Sequence, residues 1–372
     1  MVLRMTVILM ALFVPVSVAS AAGPPQEQWN RTFGGREADY GYCVQETSDG
    51  GYIVAGATAS FGEGSTDAWL IKTDSSGVKE WDKTFGGLAG DLAYSVQETS
   101  DGGYVVGGVT GYYEAGGADV WLIKTDSSGG KLWEAIFGGP GQDYGRHVQE
   151  TSDGGYIIAG EVRDADLGLA DVWLIKTDSD GNRLWDKTFG GTGDDYGRCV
   201  RQTLDGGYVV AGSTASCGNG EVDMWVIKTA TDGEEEWSKP LGGARGDGAA
   251  AVQCTPDGGY VVVGYHRAEG STWPDVWLVK LDLAGNEVWS GTFGREWAEY
   301  GCSVQATSDG GYVVAGHTVS YGAGNSDVWL VKLAFGEGSR VGLWVGVGFG
   351  VLLAVFGVAL LLGSRVLRAG EQ

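Results

Sequence analysis

Basic residues are scarce in this chain of 372 residues. Its 25 Lys and Arg stand against 48 Asp and Glu, a formal net charge of −23. A nucleic acid wants a basic face and finds none in bulk, so that class of partner is excluded. Histidine is scarcer still: His147, His266 and His317 are the only three. They fall in three different columns of the repeat described below and do not converge as a metal set. The five cysteines (Cys43, Cys199, Cys217, Cys254 and Cys302) are odd in number and irregularly spaced. No paired CxxC, phosphate-binding glycine loop or nucleophile motif is present, so the sequence offers little to support enzyme chemistry. Between the termini no segment has helical length or period. What is plentiful is glycine, 67 residues, and aromatic residues: 15 Trp, 16 Tyr and 10 Phe. The glycines do not recur every third residue, which excludes collagen. A hydrophobic share of 43% is too apolar for a disordered chain.

Six copies of one unit account for this composition. Trp29, Trp81, Trp133, Trp185, Trp237 and Trp289 are each 52 residues apart, and so are the DGGY sites that begin at Asp49, Asp101, Asp153, Asp205, Asp257 and Asp309. Each unit reads as four strands; in the second copy these are Ala93–Thr99, Tyr104–Thr110, Asp119–Thr125 and Lys131–Phe137. Four strands in about 50 residues is the pattern of a β-propeller blade. The predicted fold is therefore all-β: a six-bladed β-propeller of four-stranded 52-residue blades over residues 25–336. The chain opens on a fourth-type strand, Gln28–Phe33, and ends after a third-type strand, so the first strand is predicted to close the last blade and remove exposed edges. Gly56, Gly108, Gly160, Gly212, Gly264 and Gly316 fill one column of the second strand, which predicts close packing of neighbouring sheets there.

The ends lie outside the array. Residues 1–21 read as a secretory signal with Arg4, an apolar run and an Ala19-Ser20-Ala21 cleavage site. Residues 341–363 are 23 uncharged residues, long enough for a transmembrane helix, and Arg365 and Arg368 follow in a tail over 364–372. Residues 337–340 form a short tether. Gly342, Gly346 and Gly350 make a face through which two such helices could pair as a homodimer, or are chance spacings in a glycine-rich helix. The expected address is the cell membrane, single-pass, with the N-terminal domain extracellular.

The repeat, quoted as "TFGG…VQETSDGGYIVAGATASFGEGSTDAWLIKTDSSG…W", resembles a large group of secreted or cell-surface β-propeller proteins of archaea and bacteria, and its blade layout is similar to that of quinoprotein-type propellers. The resemblance implies a fold and a surface address. It implies no activity, because the group has no catalytic residues to carry over.

Alternating strand direction puts the loops between second and third strands, and those between blades, on one face. These loops differ among copies, while the DGG turns on the other face are nearly constant. The variable face is the one free to recognise a ligand, and the uniform face is expected to lie against the membrane. On the variable face an acid precedes every first strand: Asp39, Asp91, Asp143, Asp195, Asp247 and Glu299. Read as a ring, they would recruit a cation such as Ca²⁺. Read as framework, each caps its own turn. A second column, Asp67 and its equivalents, recurs five residues before a lysine column, Lys72 and its equivalents, which suggests a structural pairing between blades.

Unrepeated residues on the variable face are the ligand-binding candidates: Tyr112, Tyr113 and Glu114 in blade two, Arg163 and Asp164 in blade three, His266, Arg267 and Trp273 in blade five, and Trp297, beside Arg295 and Glu296, before blade six. Aromatics among charged groups suit sugar rings or a protein partner. The predicted function is a surface binding or adhesion module for a glycan or protein. The alternatives are a polysaccharide hydrolase or lyase using carboxylates of that face, and a structural envelope protein. Neighbouring first strands offer two disulfide pairs, Cys43 with Cys302 and Cys199 with Cys254.

Overall fold

The computed structural model describes residues 29–112, 117–164, 166–307, 310–321 and 326–333. The chain folds as six antiparallel sheets, blades of the β-propeller type. They comprise β1 (Asp39–Glu46), β2 (Tyr52–Thr58), β3 (Asp67–Thr73) and β4 (Lys79–Phe85); β5 (Gly90–Glu98), β6 (Tyr104–Tyr112), β7 (Asp119–Thr125) and β8 (Lys131–Phe137); β9 (Tyr144–Glu150), β10 (Tyr156–Arg163), β11 (Ala170–Thr177) and β12 (Arg183–Phe189); β13 (Asp195–Gln202), β14 (Tyr208–Thr214), β15 (Asp223–Thr229) and β16 (Glu235–Leu241); β17 (Gly248–Cys254), β18 (Tyr260–His266), β19 (Asp275–Leu281) and β20 (Glu287–Phe293); and β21 (Glu299–Ala306), β22 (Tyr312–Thr318) and β23 (Asp327–Leu333). Strand order within each sheet follows chain order. Two compact units divide the chain, Met1–Ile136 and Phe137–Gln372. The first carries two blades and the second four.

Among the described residues no helix is long and apolar enough to cross a membrane. The predicted signal (1–21), tether (337–340), spanning helix (341–363, with Gly342, Gly346 and Gly350) and tail (364–372) lie outside the described residues. The sixth sheet has three strands among the described residues. The strand predicted over Gln28–Phe33 forms no ladder in its described part. Its Trp29 nevertheless meets Tyr52 at 5.7 Å between ring centroids, the contact that Trp81 makes with Tyr104 at 5.8 Å. The same pairing recurs in the second unit as Trp185–Tyr208, Trp237–Tyr260 and Trp289–Tyr312.

Within each unit the core lies in the seams between blades. Ile53, Leu70, Val106, Trp121 and Ile123 form one seam of the first unit. Cys199, Met224, Val226, Tyr260, Trp277 and Val279 form one in the second. In blades one to five the second and third strands are buried nearly throughout, so they read as continuous apolar runs and not as alternation, whereas β23 alternates between half-buried and exposed.

Every first strand carries a β-bulge at one position, where the extra residue is Tyr42, Tyr94, Arg146, Arg198, Ala250 or Cys302. A bulge frees one residue from the ladder and re-aims its side chain. It also gives a second reason for the glycine column of the second strand, beside the close approach of the neighbouring blade, where a Cβ on Gly197 would meet the Gly160 carbonyl at 2.7 Å. A Cβ on Gly160 or Gly212 would collide with the backbone carbonyl of Tyr144 or Tyr196 in the same blade. The column makes room for the bulged partner strand, and not only for the neighbouring sheet.

None of the five cysteines is bridged to another, so neither predicted disulfide is formed. Cys254 sits three residues further along its strand than Cys199 does, roughly 10 Å, beyond the reach of a disulfide.

Candidate functional site

At the uniform end of blades one to five, the DGGY aspartate closes its turn and holds a lysine. Asp153 accepts hydrogen bonds from the Thr151 hydroxyl at 2.5 Å and the Gly155 N–H at 3.0 Å. The Lys176 ammonium, 3% exposed, pairs with Asp153 at 3.0 Å and donates to the Thr177 carbonyl at 2.8 Å. Lys72, Lys124, Lys228 and Lys280 pair likewise with Asp49, Asp101, Asp205 and Asp257. This overturns the expected pairing of the lysine column with Asp67 and its equivalents. Each lysine is taken by the turn aspartate of its own blade, and it stands at the uniform end of its strand while the Asp67 column stands at the variable end, roughly 17 Å along the strand. Burial alone would raise Asp101 and Asp153. Hydrogen bonds from the Thr99 and Thr151 hydroxyls and from the lysines outweigh it and hold both carboxyls down at about 2.

At the variable end the acid column is built into loop backbone. Asp39 accepts from Gly35 N, Asp91 from Gly87 N, Asp143 from Gly139 N, Asp195 from Gly191 N, Asp247 from Gly243 N and Glu299 from Arg295 N, at 2.8–3.1 Å. All but Asp39 are at most 1% exposed. Among the described residues no three His, Cys, Asp or Glu side chains gather as a group able to hold a metal ion.

The acids instead meet in twos. A Cβ on Gly86 would touch the carboxylates of both Asp67 and Asp91. Gly190 stands in the same way between Asp171 and Asp195, Gly242 between Asp223 and Asp247, and Gly294 between Asp275 and Glu299. One acid of each pair opens a third strand and the other opens the first strand of the next blade. Burial pushes Asp67, Asp171, Asp223 and Asp275 above the usual carboxylate range, and the facing acid adds to the rise. Sequence reasoning missed these pairs, although both columns recur with a constant offset of 24 residues.

The unrepeated candidates separate into two groups. Tyr112 ends β6, while Tyr113 and Glu114 lie outside the described residues. Arg163 donates to the Gly168 carbonyl at 2.6 Å, and Asp164 accepts from the N–H groups of Asp166 and Leu167. Arg267 donates to the Thr272 carbonyl, and His266 Nδ1 lies 2.7 Å from Asp247. Arg163, Asp164 and Arg267 brace their own loops, Arg163 also pairs with Asp194 before the next blade at 3.6 Å, and His266 leans on the acid that precedes β17.

Trp273 and Trp297 are different. They come from separate loops, 24 residues apart in the chain, yet their rings meet at 5.9 Å with an interplanar angle of 46°. They remain 43% and 50% exposed, which marks an aromatic surface and not a core contact. Beside them a hollow of about 420 Å³ is lined by Arg295, Glu296, Trp297 and Ser320. The Trp297 N–H donates to Ser320 Oγ at 3.0 Å, and the Arg295 guanidinium lies 4.6 Å above the Tyr321 ring. Ser320 and Tyr321 were not singled out from the sequence; their variable loop was the signal that could have found them.

No protein-family profile and no curated protein matches the chain. Similar solved structures include the β-propeller domain of the Trilobed protease from Pyrococcus furiosus, 11% identical over 82% of this chain and 85% of that one, with a TM-score of 0.47. The Pan2 WD40 domain of Neurospora crassa is 10% identical over 80% of this chain and 90% of that one, TM-score 0.46. The endo-arabinase from Bacteroides thetaiotaomicron is 9% identical over 79% and 93%, TM-score 0.39. Likeness at this level assigns no activity.

Proposed function

We propose that the protein is a cell-surface binding module that takes a glycan on the platform of Trp273 and Trp297. The observation that carries this reading is the exposed ring pair beside a hollow with one cation, Arg295, and one carboxylate, Glu296. An indole face stacks on the apolar face of a sugar ring, and a guanidinium and a carboxylate take its hydroxyls. The sequence of residues 1–21 and 341–363 supports secretion and a single-pass anchor with the blades outside.

A glycan array read together with reducing-sugar release tests the function. We expect binding without release, and Trp297→Ala weakening that binding about tenfold or more. Release of sugar would assign a hydrolase or lyase instead. Binding that Trp297→Ala and Trp273→Ala leave unchanged would remove the platform from the site.

A further inference from the structure

Blades three and four of the second unit place an arginine at the bulge of the first strand, Arg146 on β9 and Arg198 on β13. In blade three the arrangement is complete. Arg146 lies 4.6 Å above the Tyr144 ring and grips Glu161 with two prongs, Nη2 at 2.6 Å and Nε at 3.0 Å, and the Glu161 side chain is 1% exposed. In blade four Arg198 lies 5.2 Å above the Tyr196 ring, as Arg146 lies above Tyr144. The residue in the place of Glu161, however, is Ser213. Among the described residues Arg198 has no carboxylate within ion-pair distance, in a protein with almost twice as many acids as bases.

The neighbouring blade completes the surroundings. Gly248 replaces the tyrosine that Tyr144, Tyr196 and Tyr300 provide elsewhere, and the Tyr265 ring fills the vacated space; a Cβ on Gly248 would come within 2.9 Å of it. Tyr265 packs against Tyr300 at 5.3 Å. Arg198 is near enough to counter part of the rise that burial imposes on the Tyr265 hydroxyl. A half-buried guanidinium beside two tyrosines, with a serine hydroxyl where its partner acid should stand, has the donor geometry that a planar oxyanion satisfies.

We propose that Arg198 is an anion-recognition site that binds the carboxylate of a small acidic ligand, the ligand taking the place that Glu161 occupies beside Arg146. A monoanion fits best, because the large negative charge of the chain repels polyanions. This site is independent of the tryptophan platform.

The test is titration of the full-length protein with sodium glucuronate against glucose. Saturable glucuronate binding is expected where glucose gives none at this site. Arg198→Gln should weaken it about tenfold or more. Ser213→Glu should abolish it by installing the internal partner, with a thermal midpoint no lower than that of the parent. Trp297→Ala should leave it unchanged. Glucuronate binding no tighter than glucose overturns the proposal. So does binding that survives both Arg198→Gln and Ser213→Glu, or that Trp297→Ala removes.

Discussion

Asp153→Ala lowers stability by about 3 kcal/mol, a fall of roughly 4–5 °C in the thermal midpoint, while Asp205→Ala costs about half as much. The removed carboxylate leaves the Lys176 ammonium almost fully buried with only the Thr177 carbonyl as partner. Losing one member of a buried pair costs about 3–5 kcal/mol. That figure is reduced here because the Asp153 side chain is 58% exposed. Loss of the turn hydrogen bonds to Thr151 and Gly155 adds about 1 kcal/mol. Lys228 keeps a second carboxylate, Glu236 at 3.0 Å, when Asp205 is removed, so its charge stays paired. Thermal melts of the two variants decide the matter; equal losses would mean that the turn and not the lysine sets the cost.

The clamp also fixes a direction of pH dependence. The folded values of Asp101 and Asp153 lie below that of an unfolded aspartate. Their contribution is complete above pH about 4 and is lost as pH falls from there through about 2.

The second large effect has the opposite sign: Asp275→Asn stabilises the protein at pH 7 by about 1–2 kcal/mol. Asp275 and Glu299 converge on Gly294, and burial followed by the Glu299 charge raises the Asp275 carboxyl. Two unit charges about 4 Å apart repel by about 4 kcal/mol at an effective dielectric of 20, reduced here because solvent reaches Asp275. An asparagine removes the repulsion and offers an N–H to Glu299. Because the folded value is raised, wild-type stability falls as pH climbs from the unfolded toward the folded value. The gain of the variant should therefore be small at pH 3 and full at pH 7. Melts at both pH values check this. A destabilised variant at pH 7, with a parent that Ca²⁺ stabilises and a variant that it does not, would make the pair a cation site instead.

The blades were legible in the sequence because the 52-residue period repeats without a gap. Asp119–Thr125 and Lys131–Phe137 match β7 and β8 residue for residue. The first strand of blade two begins earlier than predicted, at Gly90 and not Ala93, because bulges carry its pairing back along β6. What stayed hidden joins residues 23 or 24 apart: Lys176 with Asp153, Asp275 with Glu299, Trp273 with Trp297. Each contact depends on which sheet face a side chain takes and on how closely two loops approach, and a column of identical letters carries neither. Asp67 and Lys72 misled for the same reason, since their regular spacing in sequence places them at opposite ends of one strand. Arg198 could have been noticed beside Arg146, but its lack of an acid shows only when Glu161 is seen in the grip of its equivalent.

The bulge position has a bearing on how such an array changes over time. Its residue carries no ladder pairing, and its neighbours in the first and second strands are small: Gly197 faces Gly212, and Ala249 faces Gly264. Substitution there leaves the ladder pairs on either side in place. The six copies accordingly hold Tyr42, Tyr94, Arg146, Arg198, Ala250 and Cys302, while the second-strand glycine beside them (Gly56, Gly108, Gly160, Gly212, Gly264 and Gly316) is constant. A variable letter in each blade, set beside a constant glycine, lets selection rewrite recognition without altering the strand register, and the same six positions are the natural sites for a designed library.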